Sequence, residues 1–475
     1  MNVRTILRNI TYSLTANVIS FLVGVTVVAI VPKIVGVEDY GYFQLFLFFT
    51  GYVGLFHFGW ADGILLRFAG SKWQKLDCPY FAGQIRLFVI FELILWGLFC
   101  LACIKLFSSN PDKLFVFICT GINAILMLLI TFLRFILLST NCIGKNSVLT
   151  LVERFIYFLA ILCVLVLDRL EFKYLIYSYI VSQIITLVIC LFFCKKLIFV
   201  RSERIKISLK EAWVNISVGS KLLISNIIPM LIFGVLRFGV EFSWGISVFG
   251  KVSLLLSMIS CVFIFINAIS TVLLPSLRCE TDLLLNKLYL PFRCGVSWGL
   301  LFCFSLVYPI KILAGYWLPM YTDVFEFLPL IFPVCLYEGV INLLTSTYLK
   351  VFRLERVILW GNNLTLVISI ILFIMTIFCL KSLSMAILSM TIIQAIRLCL
   401  LESRLSRYIG LQIQNIRLTE LFVCIGFICF NYCVDGWLGM VMYISFASFI
   451  FIISWKSYLE KIYIEFLTIK QGILK

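Results

Sequence analysis

Residues 83–107 read GQIRLFVIFELILWGLFCLACIKLF. At 1.5 Å of rise per residue, a helix of about 20 apolar residues crosses the roughly 30 Å hydrocarbon core of a bilayer, and this run is long enough to do so. Comparable runs recur on both sides of it. Of the 475 residues, 63% are hydrophobic, 16% aromatic and only 13% charged. A soluble domain must cover itself with polar side chains, so this composition calls for a lipid solvent. The sequence predicts an all-α polytopic membrane protein.

Apolar runs separated by charged or Gly/Pro-marked breaks give about 14 transmembrane helices. Six are expected near 12–35, 41–66, 83–107, 114–139, 147–167 and 174–194. Eight more are expected near 222–244, 251–275, 292–314, 325–349, 357–380, 383–401, 418–434 and 437–455. The first run is longer than the apolar region of a signal peptide and lacks a small-residue cleavage site, so it is expected to remain as a helix. With both termini inside, about 30 of the 39 Lys and Arg residues fall on cytoplasmic segments, as the positive-inside rule requires. The expected organisation is an N-lobe of helices 1–6 (1–200), a cytoplasmic connector (201–221), a C-lobe of helices 7–12 (222–405), and helices 13–14 with a cytoplasmic tail (406–475).

Sliding the chain on itself until Asn17 falls on Asn226 also aligns Gly36 with Gly245, Tyr40 with Phe249 and Gly41 with Gly250. Internal repeats of this kind mark transporter architectures. An even number of expected spans separates the copies, so two six-helix lobes related by an axis along the membrane normal are predicted. Pro32 and Pro229, in the first helix of each half, either bend cavity-lining helices or are tolerated kinks.

The formal charge of +16 raises the question of nucleic acid. Its cations lie in short clusters between apolar runs, which points to membrane topology and to no nucleic-acid partner. In the longest polar stretch, Lys195–Arg201 followed by Glu203, Arg204, Lys206 and Lys210 mixes cations with apolar residues. It reads as an interfacial helix on anionic lipid or as a solvated linker. The 18 cysteines lack disulfide or zinc spacing, and Cys261, Cys335 and Cys424 read as small buried hydrophobes. Cys100 and Cys103 have redox-like spacing but lie inside an apolar run.

Enzyme signals are negative. Gly245 to Lys251 has the spacing of a phosphate-binding loop, yet Val252 stands where Ser or Thr is required. No metal-ligand cluster or nucleophile–base set can be assembled around the single histidine, so neither metal nor cofactor is expected.

An ionisable side chain at a helix centre costs about 3 kcal/mol on insertion scales, so each implies a wet cavity or a partner. Arg237 and Glu241 lie one turn apart, where Arg237 could hold an anionic group and Glu241 orient it or titrate; the alternative is a structural ion pair. Glu92, Arg134, Glu153, Arg154 and Glu338 are further candidates. In the stretch from His57 to Gly63 and on to Arg67, Gly59 and Gly63 permit close helix approach, and Asp62 and Arg67 could pair as a gate. His57 reads more readily as a hydrogen-bonded packing residue than as a proton relay.

His57-Phe-Gly-Trp-Ala-Asp-Gly63 with Arg67, Gly234-Val-Leu-Arg-Phe-Gly-Val-Glu241, Phe249-Gly-Lys-Val-Ser-Leu254, Phe265-Ile-Asn-Ala268 leading to Leu274-Pro-Ser-Leu-Arg278, and Tyr337-Glu-Gly339 before Tyr348-Leu-Lys350 resemble polysaccharide flippases. These are Wzx-type members of the multidrug, oligosaccharidyl-lipid and polysaccharide exporter superfamily, and the resemblance spans about three-quarters of the chain. It implies translocation of undecaprenyl-pyrophosphate-linked oligosaccharides across the bacterial inner membrane by alternating access, for O-antigen or capsule assembly. It also implies a proton or sodium ion as coupling partner, contacts with membrane lipids, and other polysaccharide-assembly proteins as partners. On that basis Arg237, Arg134 and Glu338 are assigned to substrate binding, and Asp62, Arg67, Glu241, Glu92 and His57 to gating or coupling. Rival readings are a drug/cation antiporter of the same superfamily and a polysaccharide polymerase or ligase. The latter normally needs a large outer loop, and every expected outer connection is short.

Overall fold

The computed structural model describes the backbone of residues 3–201, 205–278 and 281–473. Side chains of residues 3–14, 16, 17, 265, 267, 268, 271, 272, 274–276, 278, 282, 283 and 455–473 lie outside the description. The described chain is helical, with no strand. In order, α1 spans Val3–Ile34, α2 Val37–Tyr52, α3 Trp60–Arg67, α4 Cys78–Leu106, α5 Pro111–Ser139, α6 Ile143–Val166, α7 Phe172–Phe193 and α8 Lys195–Ile198. Then come α9 Ile205–Arg278, α10 Asp282–Cys303, α11 Val307–Trp317, α12 Thr322–Phe325, α13 Leu328–Ile331, α14 Val334–Val340, α15 Ser346–Val351, α16 Glu355–Ile374, α17 Leu383–Ile409, α18 Gln414–Cys433 and α19 Gly436–Ile473.

Local chemistry sets several boundaries. The Asn110 side chain accepts from the Lys113 N–H at 3.0 Å and Pro111 occupies the first helical position, so α5 starts where its missing N–H costs nothing. Asp77 caps α4 in the same manner. α17 ends at Gly410, whose φ of 79° suits the left-handed cap that glycine adopts without penalty.

Among the described residues, eleven helices are long and apolar enough to span a membrane, or 12 when the bent pair Val37–His57 and Trp60–Arg67 counts as one, which makes this a multi-pass membrane protein. The sequence led us to expect about 14, and two elements account for the difference. The expected helices at 222–244 and 251–275 both lie in the 74-residue α9, interrupted only at Gly245, where φ is 80°. The described side chains of α1 leave a shorter apolar helix, Val18–Ile34. The phosphate-loop-like stretch from Gly245 to Lys251 is part of α9, and residues 205–221 of the expected connector form its first turns. Glu203 and Arg204 lie outside the described residues, as do the side chains of Asn17, Phe265, Asn267, Ala268, Leu274, Pro275, Ser276 and Arg278.

The chain forms two compact units, one of residues 1–230 with 244–254, the other of residues 231–243 with 255–475. In the first, Trp60, Phe88 and Phe132 form an aromatic core, with the Phe88 and Phe132 rings stacked at 4.5 Å. The repeat-related glycines Gly41 and Gly250 meet there: a Cβ on Gly41 would lie 2.4 Å from the Ile246 carbonyl oxygen, and one on Gly250 2.8 Å from the Gly41 Cα. In the second unit the stretch Leu328–Val351 is almost wholly buried, packed by α10 and α17. Such a helix is solvated by protein, whereas α4 leaves Leu98 and Leu101 open on its surface, where lipid is the natural neighbour.

Candidate functional site

In the first unit the polypeptide bends by 59° between His57 and Trp60, through left-handed Phe58 (φ 49°) and Gly59 (φ 85°). The His57 Nδ1 accepts the Gly59 N–H at 3.0 Å, which leaves the proton on Nε2, 3.7 Å from the Asp62 carboxylate. The ring thus fastens the bend. Close approach follows: a Cβ on Gly63 would sit 1.9 Å from the Asn215 carbonyl oxygen, and one on Gly219 2.0 Å from the Gly59 carbonyl oxygen. Backbone meets backbone between α3 and the start of α9.

The expected Asp62–Arg67 pair does not form. Five positions separate the two residues, which turns them roughly 140° apart around a helix. Arg67 instead reaches α9, donating to Glu211 at 2.8 Å and to Asn215 at 2.6 Å. Asn215 in turn donates to the Tyr80 hydroxyl at 2.9 Å and to the Gln84 carbonyl oxygen at 3.2 Å. Gln84 accepts from the Trp60 indole at 2.9 Å and donates to the Ser208 carbonyl at 2.8 Å. This network joins α3, α4 and α9 at a partly exposed edge.

Arg134 lies elsewhere in the same unit. It donates to Asn146 at 2.8 Å, to Glu153 at 3.2 Å and to the Thr150 hydroxyl, while Gln183 holds the other Glu153 oxygen at 3.3 Å. Glu92 is 1% exposed and accepts from the Trp96 indole at 3.0 Å; among the described residues its second oxygen has no hydrogen-bond partner.

In the second unit Arg237 and Glu241 occupy successive turns of α9, both half-buried, with helical backbone between them. Glu338 is buried against Arg397 at 2.7 Å, and Asn342 donates to its other oxygen at 3.1 Å. Asn362 accepts from the Arg397 Nε at 2.9 Å. Immediately after Glu338 the helix widens into a π-turn over Ile341–Thr345, a local irregularity often found at functional positions.

A further group escaped the sequence reading. Arg293 is fully buried, bonded to Glu402 at 2.6 Å, to Glu420 at 2.9 Å and to Ser297. Arg417 reaches the second Glu402 oxygen at 2.9 Å, and the Tyr289 hydroxyl donates to the first at 3.0 Å. Two arginines balance two glutamates, which offsets the desolvation of each charge. Arg293, Glu402 and Glu420 lie at or just beyond the ends of three expected apolar runs and read as loop-end charges. The available signal was that all three runs end on the same expected side of the membrane. No group of three His, Cys, Asp or Glu residues with metal-binding geometry occurs among the described residues.

The geometry therefore distributes the expected residues: Asp62, His57 and Arg67 lie around one bend, Arg134 and Glu92 elsewhere in the first unit, and Arg237, Glu241 and Glu338 in the second. No protein-family profile matches the chain, and no curated protein matches it. Solved structures do. The chain is similar to the lipid II flippase MurJ in its inward closed conformation, with a TM-score of 0.65 at 15% identity over 95% of this chain and 99% of that one. It is also similar to an inward-facing multidrug resistance MATE family transporter of the MOP superfamily, with a TM-score of 0.57 at 11% identity over 83% of this chain and 98% of that one. The protein shares the all-α, polytopic fold of these two structures.

Proposed function

We propose that the protein carries undecaprenyl-pyrophosphate-linked oligosaccharide units from the inner to the outer leaflet of a bacterial cytoplasmic membrane by alternating access, supplying O-antigen or capsule assembly. The observation that carries this reading is the fold shared with a lipid II flippase over 95% of the chain. The multidrug transporter accounts for 83%, so the flippase likeness explains more of the sequence. The chain also bears several ionisable groups inside helices, which suits carriage of a charged substrate.

In this reading residues 1–200 and 222–405 form the two lobes. Arg237 receives the pyrophosphate, because a guanidinium offers a planar fork of donors to phosphate oxygens. Glu241, one turn away, orients that group or exchanges a proton or sodium ion during the cycle. Arg67 gates through its bonds to α9, with Asp62 and His57 holding the bend behind it and Glu92 supporting α4. Arg134 and Glu338 meet substrate only by exchanging it for Glu153 and Arg397.

The test is leaflet exchange. Purified protein in liposomes carrying a fluorescent undecaprenyl-pyrophosphate oligosaccharide should speed the label's appearance in the opposite leaflet, and Arg237→Ala should slow this at least tenfold while inserting normally. Exchange no faster than in empty liposomes, beside uptake of a cationic dye, would replace the flippase reading with the antiporter.

A further inference from the structure

In the second unit a cleft of about 390 Å3 opens where the end of α11 meets the turn between α18 and α19. This is within the range of small-ligand sites. Tyr308, Lys311, Tyr316, Thr322, Asn431 and Asp435 contribute to its lining. Its walls are fixed by backbone. Gly436 turns the chain with φ 72°, and a Cβ on Gly439 would lie 2.6 Å from the Tyr308 ring and 2.2 Å from the Val434 carbonyl oxygen. Tyr308 is 3% exposed, and among the described residues its hydroxyl has no hydrogen-bond partner. A buried hydroxyl without a partner at the wall of a cleft is a group prepared for a ligand's polar atom.

The remaining lining narrows the ligand class. Lys311 and Asp435 pair at 3.2 Å, but the carboxylate is 86% exposed, so the pair opens at little cost. Tyr316 stands 86% exposed beside it and presents a ring with apolar faces. An ammonium, a carboxylate, an amide, hydroxyls and a free aromatic face together suit a molecule with many hydroxyls and flat C–H faces. They suit a hydrocarbon or a small ion poorly.

We infer that this cleft is a glycan-binding subsite, in which a pyranose stacks on Tyr316 and bonds the Tyr308 hydroxyl, Asn431 and the opened Lys311–Asp435 pair. With both termini inside, the expected topology puts the α18–α19 turn on the outer side, where a sugar unit arrives after crossing. The source of the glycan rests on the flippase reading; the binding does not.

Full-length protein in nanodiscs is mixed with maltotriose, chitotriose or a hyaluronan tetrasaccharide, and saturation-transfer NMR reads direct contact. At least one should bind. Tyr316→Ala should weaken it roughly tenfold, and Tyr308→Phe a few-fold, with the melting temperature unchanged because that hydroxyl bonds nothing among the described residues. No transfer from any of the three sugars to folded protein, or full transfer retained by both variants, overturns the subsite. Displacement of the sugar by lipid-linked oligosaccharide identifies the travelling unit as its source, and lack of displacement identifies a free glycan. Binding without leaflet exchange refutes the flippase and keeps the subsite; exchange without binding does the reverse.

Discussion

Arg293 and Arg67 each bond a glutamate and lie beside a tyrosine, yet the Arg293 side chain is 0% exposed and that of Arg67 is 27% exposed. Around Arg293 the partners Glu402 and Glu420 come from α17 and α18 and are themselves buried, so every charge depends on its neighbours for solvation. Around Arg67 water reaches both the guanidinium and Glu211, and the tight element is the glycine contact behind them. Burial therefore separates a cluster that holds a unit together from one that is free to change partners. The largest expected effect follows from the first. Arg293→Ala leaves Glu420 without its partner and Glu402 with Arg417 alone, and should cost about 3–5 kcal/mol. Thermal unfolding in detergent would read it as a large fall in melting temperature or as loss of folded protein; a near-native melt would mean that water enters the cluster.

A smaller effect is expected where backbone carries the contact. Gly63→Ala drives a methyl into the Asn215 carbonyl oxygen and should cost about 1–3 kcal/mol, as overpacking does. The melting temperature should fall, and the Arg67–Glu211 bond should loosen with it, since α3 must move off α9. Crosslinking of a cysteine pair placed on α3 and α9 would detect that movement. An unchanged crosslinking yield would assign the α3–α9 contact to its side chains.

The elements were legible because lipid imposes its own ruler: about 20 apolar residues per crossing left each run visible, and every expected run is matched by helix. The break at Gly245 was legible as a glycine-marked turn, but not its form, since a single left-handed glycine redirects α9 with no loop. The site was less legible, because partners distant in sequence decide it. Glu338 was visible as a charge inside a run, whereas Arg397, which neutralises it, lies 59 residues away near the end of another. The same holds for Arg67. Asp62 is its neighbour in sequence, but helical phase turns the two apart, and Glu211, 144 residues on, takes the bond.

That exchange of partners gives the smallest expected effect and the one that most sharpens the comparison. Arg67→Ala removes a cation from a pair that water already reaches, and exposed pairs contribute about 0.2–1 kcal/mol. Glu211 can be hydrated where it stands, being 29% exposed, so no charge is stranded. The melting temperature should fall by only about 1–4 °C, on the scale that links such energies to large domains. Added salt should shrink the difference further, because exposed charges are screened within about 10 Å at 0.1 M. Leaflet exchange should nevertheless slow in this variant if Arg67 gates, since a stable protein with a loosened α3–α9 edge differs from wild type only there. A loss of stability equal to that of Arg293→Ala would show that the Arg67 cluster is as dry as the Arg293 cluster, and burial would no longer distinguish the two.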